Sequence, residues 1–254
     1  MTELVADGVP ARPTSRPTLR RVVVVVPAHD EEALVARCLH ALDAARRAAT
    51  ATGLEVEIVL VLDDCTDRTA PVAEGLAIPG LRLLAVRARS VGAARAAGVR
   101  AALADVPHDL GSVWVASTDA DSVVPASWIL AHAQHADRGA DVVVGTVRPD
   151  PADLTAAQLA AWQRTRVPGK PNGHVHGANL GVRADRYLAV SGFGAEPVHE
   201  DVDLVHRLMQ DASVRTVATD EADVMTSGRL QGRAPGGYSR YLREDLLGPG
   251  PSGD

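Results

Sequence analysis

A chain of 254 residues is long enough for one large domain or two small ones with a true hydrophobic core. The formal charge of -6 and the lack of a long basic run disfavour nonspecific nucleic-acid binding, so no nucleic-acid partner is expected. Aromatic residues are only 3% of the chain, which leaves Val, Leu, Ile and Ala to build the core.

Residues 1–20 hold three prolines and few large apolar groups, and read as a flexible arm. They contain no apolar signal core. A run of β-branched residues at Val22–Val26 predicts a strand buried on both faces, far shorter than the ~20 residues that span a bilayer. Peripheral contact with a membrane surface stays open. Cys38 and Cys65 form neither a CxxC pair nor a zinc spacing, which suits reduced thiols and a cytoplasmic location.

Downstream, strand and helix signals alternate. Glu31–Ala49 reads as a helix with Leu34, Cys38 and Leu42 on one face. Strands are predicted at Val56–Leu62, Leu81–Val86, Val113–Ser117 and Ala140–Val147. Helices are predicted at about Thr66–Ala77, at Ser90–Ala104 with Ser90 as N-cap, and at Pro125–Ala136 with proline in the first turn. The order predicts an α/β fold with a mostly parallel sheet flanked by helices, whose ligand sits at the carboxyl edge of the strands. From about residue 150 the pattern is less regular: helices at Asp153–Arg166 and Asp201–Asp211, and two short strands at Val214–Ala218 and Ala222–Met225. The tail after Leu247 is expected to fray.

Polar motifs gather at the strand ends. PAHDEE (Pro27–Glu32) follows the first strand; its acids can contact a base or ribose, or merely start a helix with Asp30 as N-cap. LDDCTDRTA (Leu62–Ala70) offers a carboxylate that can accept an N–H from a base, and Asp67 as a helix support. Arg89, Arg95 and Arg100 lie on the Ser90 helix, where Arg95 can reach a diphosphate or simply face solvent. Asp119-Ala-Asp121 follows the fourth strand; a divalent ion such as Mg2+ or Mn2+ takes one or two protein carboxylates and fills its shell with phosphate oxygens and water. HEDVD places Glu200 and Asp201 before an apolar helix, where Asp201 can take a proton from a hydroxyl, or the acids can serve the helix dipole alone. His174 and His176 have no further histidine placed to complete a zinc site, and read as acceptor contacts or loop structure.

Taken in order, VVVVVPAHDEE, VLDDCTDRTA, RSVGAARAAGVRAAL, STDADS, HGANLGVRADRYLAVSGF and HEDVDLVHRL resemble the motifs of family 2 glycosyltransferases with the GT-A fold, over about Val22 to Leu208. The resemblance implies a Rossmann-like GT-A domain over residues 21–247, with a nucleotide-sugar half at about 21–122 and a smaller acceptor half at about 123–247. It implies a UDP- or GDP-sugar donor and a hydroxyl acceptor. Pro27, Ala28 and Glu31 would line the nucleoside pocket, and Asp63 would bind the base. Arg95 would face the diphosphate or support the loop beside it. Asp119 would bind ribose or a metal-bound water, and Asp121 the metal. Asp201 would be the base, with Glu200 orienting it or the acceptor. Gly177, Ala178 and Asn179 would shape the sugar and acceptor pocket. Two positions depart from the pattern: Arg95-Ala96 replaces an Arg-Asn pair, and Ser191-Gly192 a double glycine. No late QxxRW-like motif is present, which argues against a processive polymer synthase; SGRLQGRAPGGY stands there instead, and its Arg229 and Arg233 are candidates to clamp the diphosphate. Two rivals remain. A nucleotidyltransferase normally needs a Gly- and Lys-bearing first loop, which PAHDEE lacks. A catalytically degenerate nucleotide-sugar binder would not need intact Asp119, Asp121 and Asp201.

Overall fold

The fold follows from its first strand. In the computed structural model, which describes residues 16–104, 106, 109–171, 173–196, 198–229 and 238–247, strand β1 spans Arg21–Ala28. Val22 to Val26 are all fully buried. Alternate side chains leave opposite faces of a strand, so Val22, Val24 and Val26 enter one core while Val23 and Val25 enter another. A strand with helices on both faces has no polar face, hence the unbroken apolar run.

Strand β2 is Glu55–Asp63, β3 is Leu81–Val86 and β4 is Val113–Ser117. Helix α1 (Val35–Thr50), the short α2 (Thr69–Gly75) and α3 (Val91–Leu103) connect and cover them. Ser90 caps α3, its side chain accepting from the Ala93 N–H, as expected. Gly98 lets α3 lie close on the sheet: a Cβ there would fall 2.6 Å from Val25 and 2.7 Å from Val61. The next elements are β5 (Ser122–Val123), α4 (Trp128–Asp137), β6 (Val142–Pro149), α5 (Ala156–Arg164), β7 (Leu180–Arg183), α6 (Ala184–Ala189), α7 (Glu200–Met209) and β8 (Thr216–Thr226).

The eight strands form one sheet in the order β3-β2-β1-β4-β7-β6-β8-β5. The first four are parallel; β7 runs antiparallel to both β4 and β6, and β8 is parallel to β6. One consequence governs the site. The carboxyl ends of β1, β2, β4, β6 and β8 share one rim, and the reversed β7 starts at that rim, so the loop before it arrives beside the loop after β4.

Several expectations change. Strand β7 and helix α6 were not foreseen, and the two strands expected after Val214 are one strand, whose pairing with β6 shifts register between Gly145 and Val147. Helix α1 starts four residues later than expected, because Leu34 rather than Asp30 stands at its N-cap. Residues 16–20, expected as the end of an arm, pack on the domain: Leu19 is buried, its N–H donates to Asp137, and Arg16 pairs with the buried Asp141 at 2.6 Å. Cys38 is buried, Cys65 is half-buried, and both are free. Among the described residues no helix is long and apolar enough to cross a membrane.

Candidate active site

The loops after β1 and β2 brace each other. Asp30 accepts from the N–H groups of Thr66 and Asp67; Asp67 accepts from the N–H of Glu32; Glu32 accepts from the N–H of Arg68. The Glu31 N–H donates to Thr69 at 2.7 Å. Asp30 and Asp64 both take positive φ, 51° and 53°, which the tight crossing demands and which Asp tolerates better than most residues. Asp30, Cys65 and Asp67 bring ligand atoms within 4.8 Å of one another, but these carboxylates are already spent on backbone N–H groups. Asp63 behaves likewise. It is buried, and its two oxygens accept from the N–H groups of Ala88, Arg89 and Ser90, so its carboxylate shapes the entry to α3 rather than standing open for a base. Pro27 and Ala28 form the end of β1 at this rim.

Asp121 follows β4 and immediately precedes β5. Pairing of Ser122 with Thr226 lays it against the end of β8, where Thr226 and Ser122 hydroxyls lie 3.3 Å from Oδ1. The Ser227 N–H donates to the Asp121 carbonyl, and two residues on, Arg229 reaches back. Its Nη2 lies 2.8 Å from Asp121 Oδ2, while both terminal nitrogens hold Glu31, at 3.1 and 2.8 Å. Burial, and then the negative charge of Asp119, push the Asp121 carboxyl up to about 6, against the pull of Arg229. Arg233 lies outside the described residues.

Arg95 forms the second charged centre. It is 3% exposed, and one terminal nitrogen binds Asp119 while the other binds Glu200. Burial works against its charge, but Asp119, Glu200 and Asp201 outweigh it and raise its pKa. Burial in turn pushes the Glu200 carboxyl up, against Arg95. The guanidinium sits over the Phe193 ring at 5.6 Å, and a Cβ on Gly177 would fall 2.5 Å from it. Arg95 is thereby held between the loop after β4 and the start of α7.

Asp201 opens α7. Its Oδ2 accepts the Gly177 N–H at 2.6 Å and its Oδ1 accepts the Val202 N–H at 2.8 Å. Gly177 in turn gives its carbonyl to Ser117 at 2.7 Å, which ties β4 to the segment before β7. Only Gly177 of the GAN triplet meets the polar site. Ala178 is buried, and Asn179, expected in the sugar pocket, is a core bracket: it accepts from the Trp128 indole at 2.8 Å and donates to the carbonyls of Thr146 and Ala222 at 2.8 and 2.9 Å. His176 stands beside Asp201, edge-on to Tyr238 at 6.0 Å and to His174 at 6.2 Å, and burial pushes its pKa down to about 4. Sequence reading missed Thr226 and Ser117; a hydroxyl at a strand end has no distinctive spacing, and their roles depend on strand pairing.

The chemistry suits a divalent cation. Asp121, Asp119 and Glu31 crowd negative charge into a mostly buried corner, where burial first and the Asp119 charge second raise the Asp121 pKa. The donors are oxygens, as Mg2+ or Mn2+ prefers.

Known structures share this fold. The chain is similar to Staphylococcus aureus TarS 1-349 (15% identity, TM-score 0.61, covering 83% of this chain and 61% of that one). It is similar to the mannosyltransferase PcManGT from Pyrobaculum calidifontis in complex with GDP-Man and Mn2+ (20%, TM-score 0.58, 89% and 60%). A third is glucosyl-3-phosphoglycerate synthase from Mycobacterium tuberculosis in complex with Mn2+, UDP and phosphoglyceric acid (18%, TM-score 0.51, 79% and 68%). The chain thus spans about three fifths of the first two. No curated protein matches it by sequence. The family profile described as Glycosyl transferase family 2 matches residues 23–188, well over half of the chain, and the chain belongs to that family.

Proposed function

We propose that this protein transfers a sugar from a nucleoside-diphosphate sugar to a hydroxyl acceptor, with a divalent metal, Asp201 as general base and inversion at the anomeric carbon. One observation carries the reading. Arg95 joins Glu200, the neighbour of Asp201, to Asp119, two residues from Asp121, so the proton-accepting carboxylate and the diphosphate-side carboxylates are parts of one buried charge network. The nucleotides bound in the TarS, PcManGT and phosphoglycerate synthase structures, UDP and GDP-Man, support a nucleotide-sugar donor without choosing its base.

The nucleoside would lie on Pro27 and Ala28 at the end of β1, between the two braced loops. Asp121, with Asp119 beside it, would hold the ion, whose charge when bound offsets that growing on the leaving diphosphate. Asp201 would accept the acceptor proton. Its two backbone N–H partners orient the carboxylate in advance, and a positioned base contributes about 10²–10⁴-fold in rate. Glu200 orients it indirectly, by holding Arg95. Attack from the Asp201 side on the face away from the diphosphate predicts inversion.

The test is calorimetric titration with UDP and GDP, with and without Mn2+, on the wild type and Asp121→Ala. Metal-dependent binding of one nucleotide, lost in the variant, is expected. Folded protein that binds neither nucleotide overturns the reading. NMR of the product anomer then checks inversion, and a retained configuration refutes the single displacement.

A further inference from the structure

Arg229 occupies an odd place for a diphosphate clamp. Its guanidinium turns inward, onto Asp121, the carboxylate that would hold a metal, and onto Glu31 beside it. Nη2 alone touches both Glu31 Oε1 and Asp121 Oδ2, each at 2.8 Å. A divalent ion on Asp121 Oδ2 and a guanidinium on the same oxygen repel each other, so both cannot be held at full strength. We propose that Arg229 is the chain's own counter-ion for the metal carboxylates, displaced from Asp121 by a divalent cation and taken up by the diphosphate that arrives with it. The inference rests on the donor-site reading above.

The backbone around Arg229 is anchored. The Ser227 N–H donates to the Asp121 carbonyl at 3.2 Å, the Gly228 N–H to Asp153 at 2.7 Å, and the Arg229 N–H to Ser227 Oγ at 3.2 Å. The exchange therefore belongs to the side chain, which is 33% exposed and has room to turn. A guanidinium fork fits phosphate oxygens as well as it fits a carboxylate, so the move replaces one bidentate partner by another. Glu31, 7% exposed at the side-chain level, gives up its Arg229 contact in the move, which holds Arg229 back unless the incoming ligand brings both the cation and the anion. Arg95, another arginine near these acids among the described residues, cannot substitute, because it is 3% exposed and already bound to Asp119 and Glu200. The arrangement makes metal and diphosphate binding mutually reinforcing: each removes what opposes the other.

The experiment is a Mn2+ titration followed by electron paramagnetic resonance of the free ion, with no sugar donor present, on wild type, Arg229→Gln and Arg229→Lys. Each is measured alone and with saturating UDP or GDP. Removing the resident charge is expected to tighten binding of Mn2+ alone by about tenfold or more, about 1.4 kcal/mol. Lys keeps the charge and should stay near the wild type. The factor by which the nucleotide improves Mn2+ binding should shrink in Arg229→Gln. Unchanged or weaker binding of Mn2+ alone in Arg229→Gln overturns the counter-ion. An unchanged nucleotide factor overturns the transfer to the diphosphate. Arg229→Met, which keeps the apolar stem, replaces the Gln variant if that one fails to fold. If neither nucleotide binds any form, the donor reading has failed, and the titration with Mn2+ alone still decides the counter-ion.

Discussion

Arg95 and Arg229 each bridge two acidic groups at the same rim of the sheet, yet they sit in opposite settings. Arg95 projects from the middle of α3, is 3% exposed, packs over Phe193 and fills the space left by the missing side chain of Gly177. Arg229 follows the end of β8, is 33% exposed and holds its two acids by ion pairs. The contrast lies in the guanidinium itself: an enclosed one is costly to remove from its acids, whereas a partly exposed one can turn to a new partner. On the reading proposed above, Arg95 belongs to the framework and Arg229 to the part of the site that responds to ligand.

The largest expected effect tests the framework side at its reactive end. Asp201→Asn should lower turnover by about 10²–10⁴-fold while nucleotide binding stays as in the wild type. Unchanged turnover would remove Asp201 from the role of base. Next, Arg95→Met should cost about 3–5 kcal/mol in urea unfolding, since Glu200 and Asp119 lose their shared partner. Arg229→Met should cost less than that, because the guanidinium it removes is one-third exposed, although Glu31 and Asp121 are themselves largely buried. Equal losses would erase the distinction between the two arginines. Asn179→Ala should cost about 1–3 kcal/mol for each buried group it orphans, those being the Trp128 indole and the carbonyls of Thr146 and Ala222, without altering acceptor preference. A changed acceptor preference at full stability would return Asn179 to the pocket wall.

A further effect is on pH. The folded Asp121 pKa of about 6 lies above the ordinary aspartate value of about 3.9, so between these values the folded chain binds more protons than the unfolded one. Stability should therefore fall as pH rises from about 4 to about 6, and Asp121→Asn should flatten that slope. Because the ion needs the ionised carboxylate, metal-dependent nucleotide binding should weaken as pH drops through about 6. Calorimetry across that range checks both signs.

Much of the first half was legible in the sequence because its signals are local. Five consecutive valines have one reading when both faces of a strand are covered, and β3 and β4 match their expected bounds. Strand β7 was not legible: LGVR is four residues long, too short to show a period, and its fully buried register depends on β4 and β6 flanking it. The single β8 was read as two strands because residues 219–221 lack apolar character; the strand continues through them although its pairing with β6 stops at Thr219 and resumes at Val224 after a register shift. At the site, Asp121, Asp201 and Glu200 were legible from motif order. The actual partners of Asp63 and Asn179 were not, since a carboxylate or amide gives no sign in sequence of which backbone groups it will meet.

The sequence by itself determined the alternation of buried strands and helices, the acidic strand ends and the family pattern, all of which are set by residues within a few positions of one another. Only the tertiary structure decided which charges meet. Glu31 and Arg229 are 198 residues apart and Arg95 and Glu200 are 105 apart. Their contacts exist because an antiparallel β7 delivers the GAN segment to the rim and because β5 pairs with the end of β8, which turns two distant arginines toward the same small group of carboxylates.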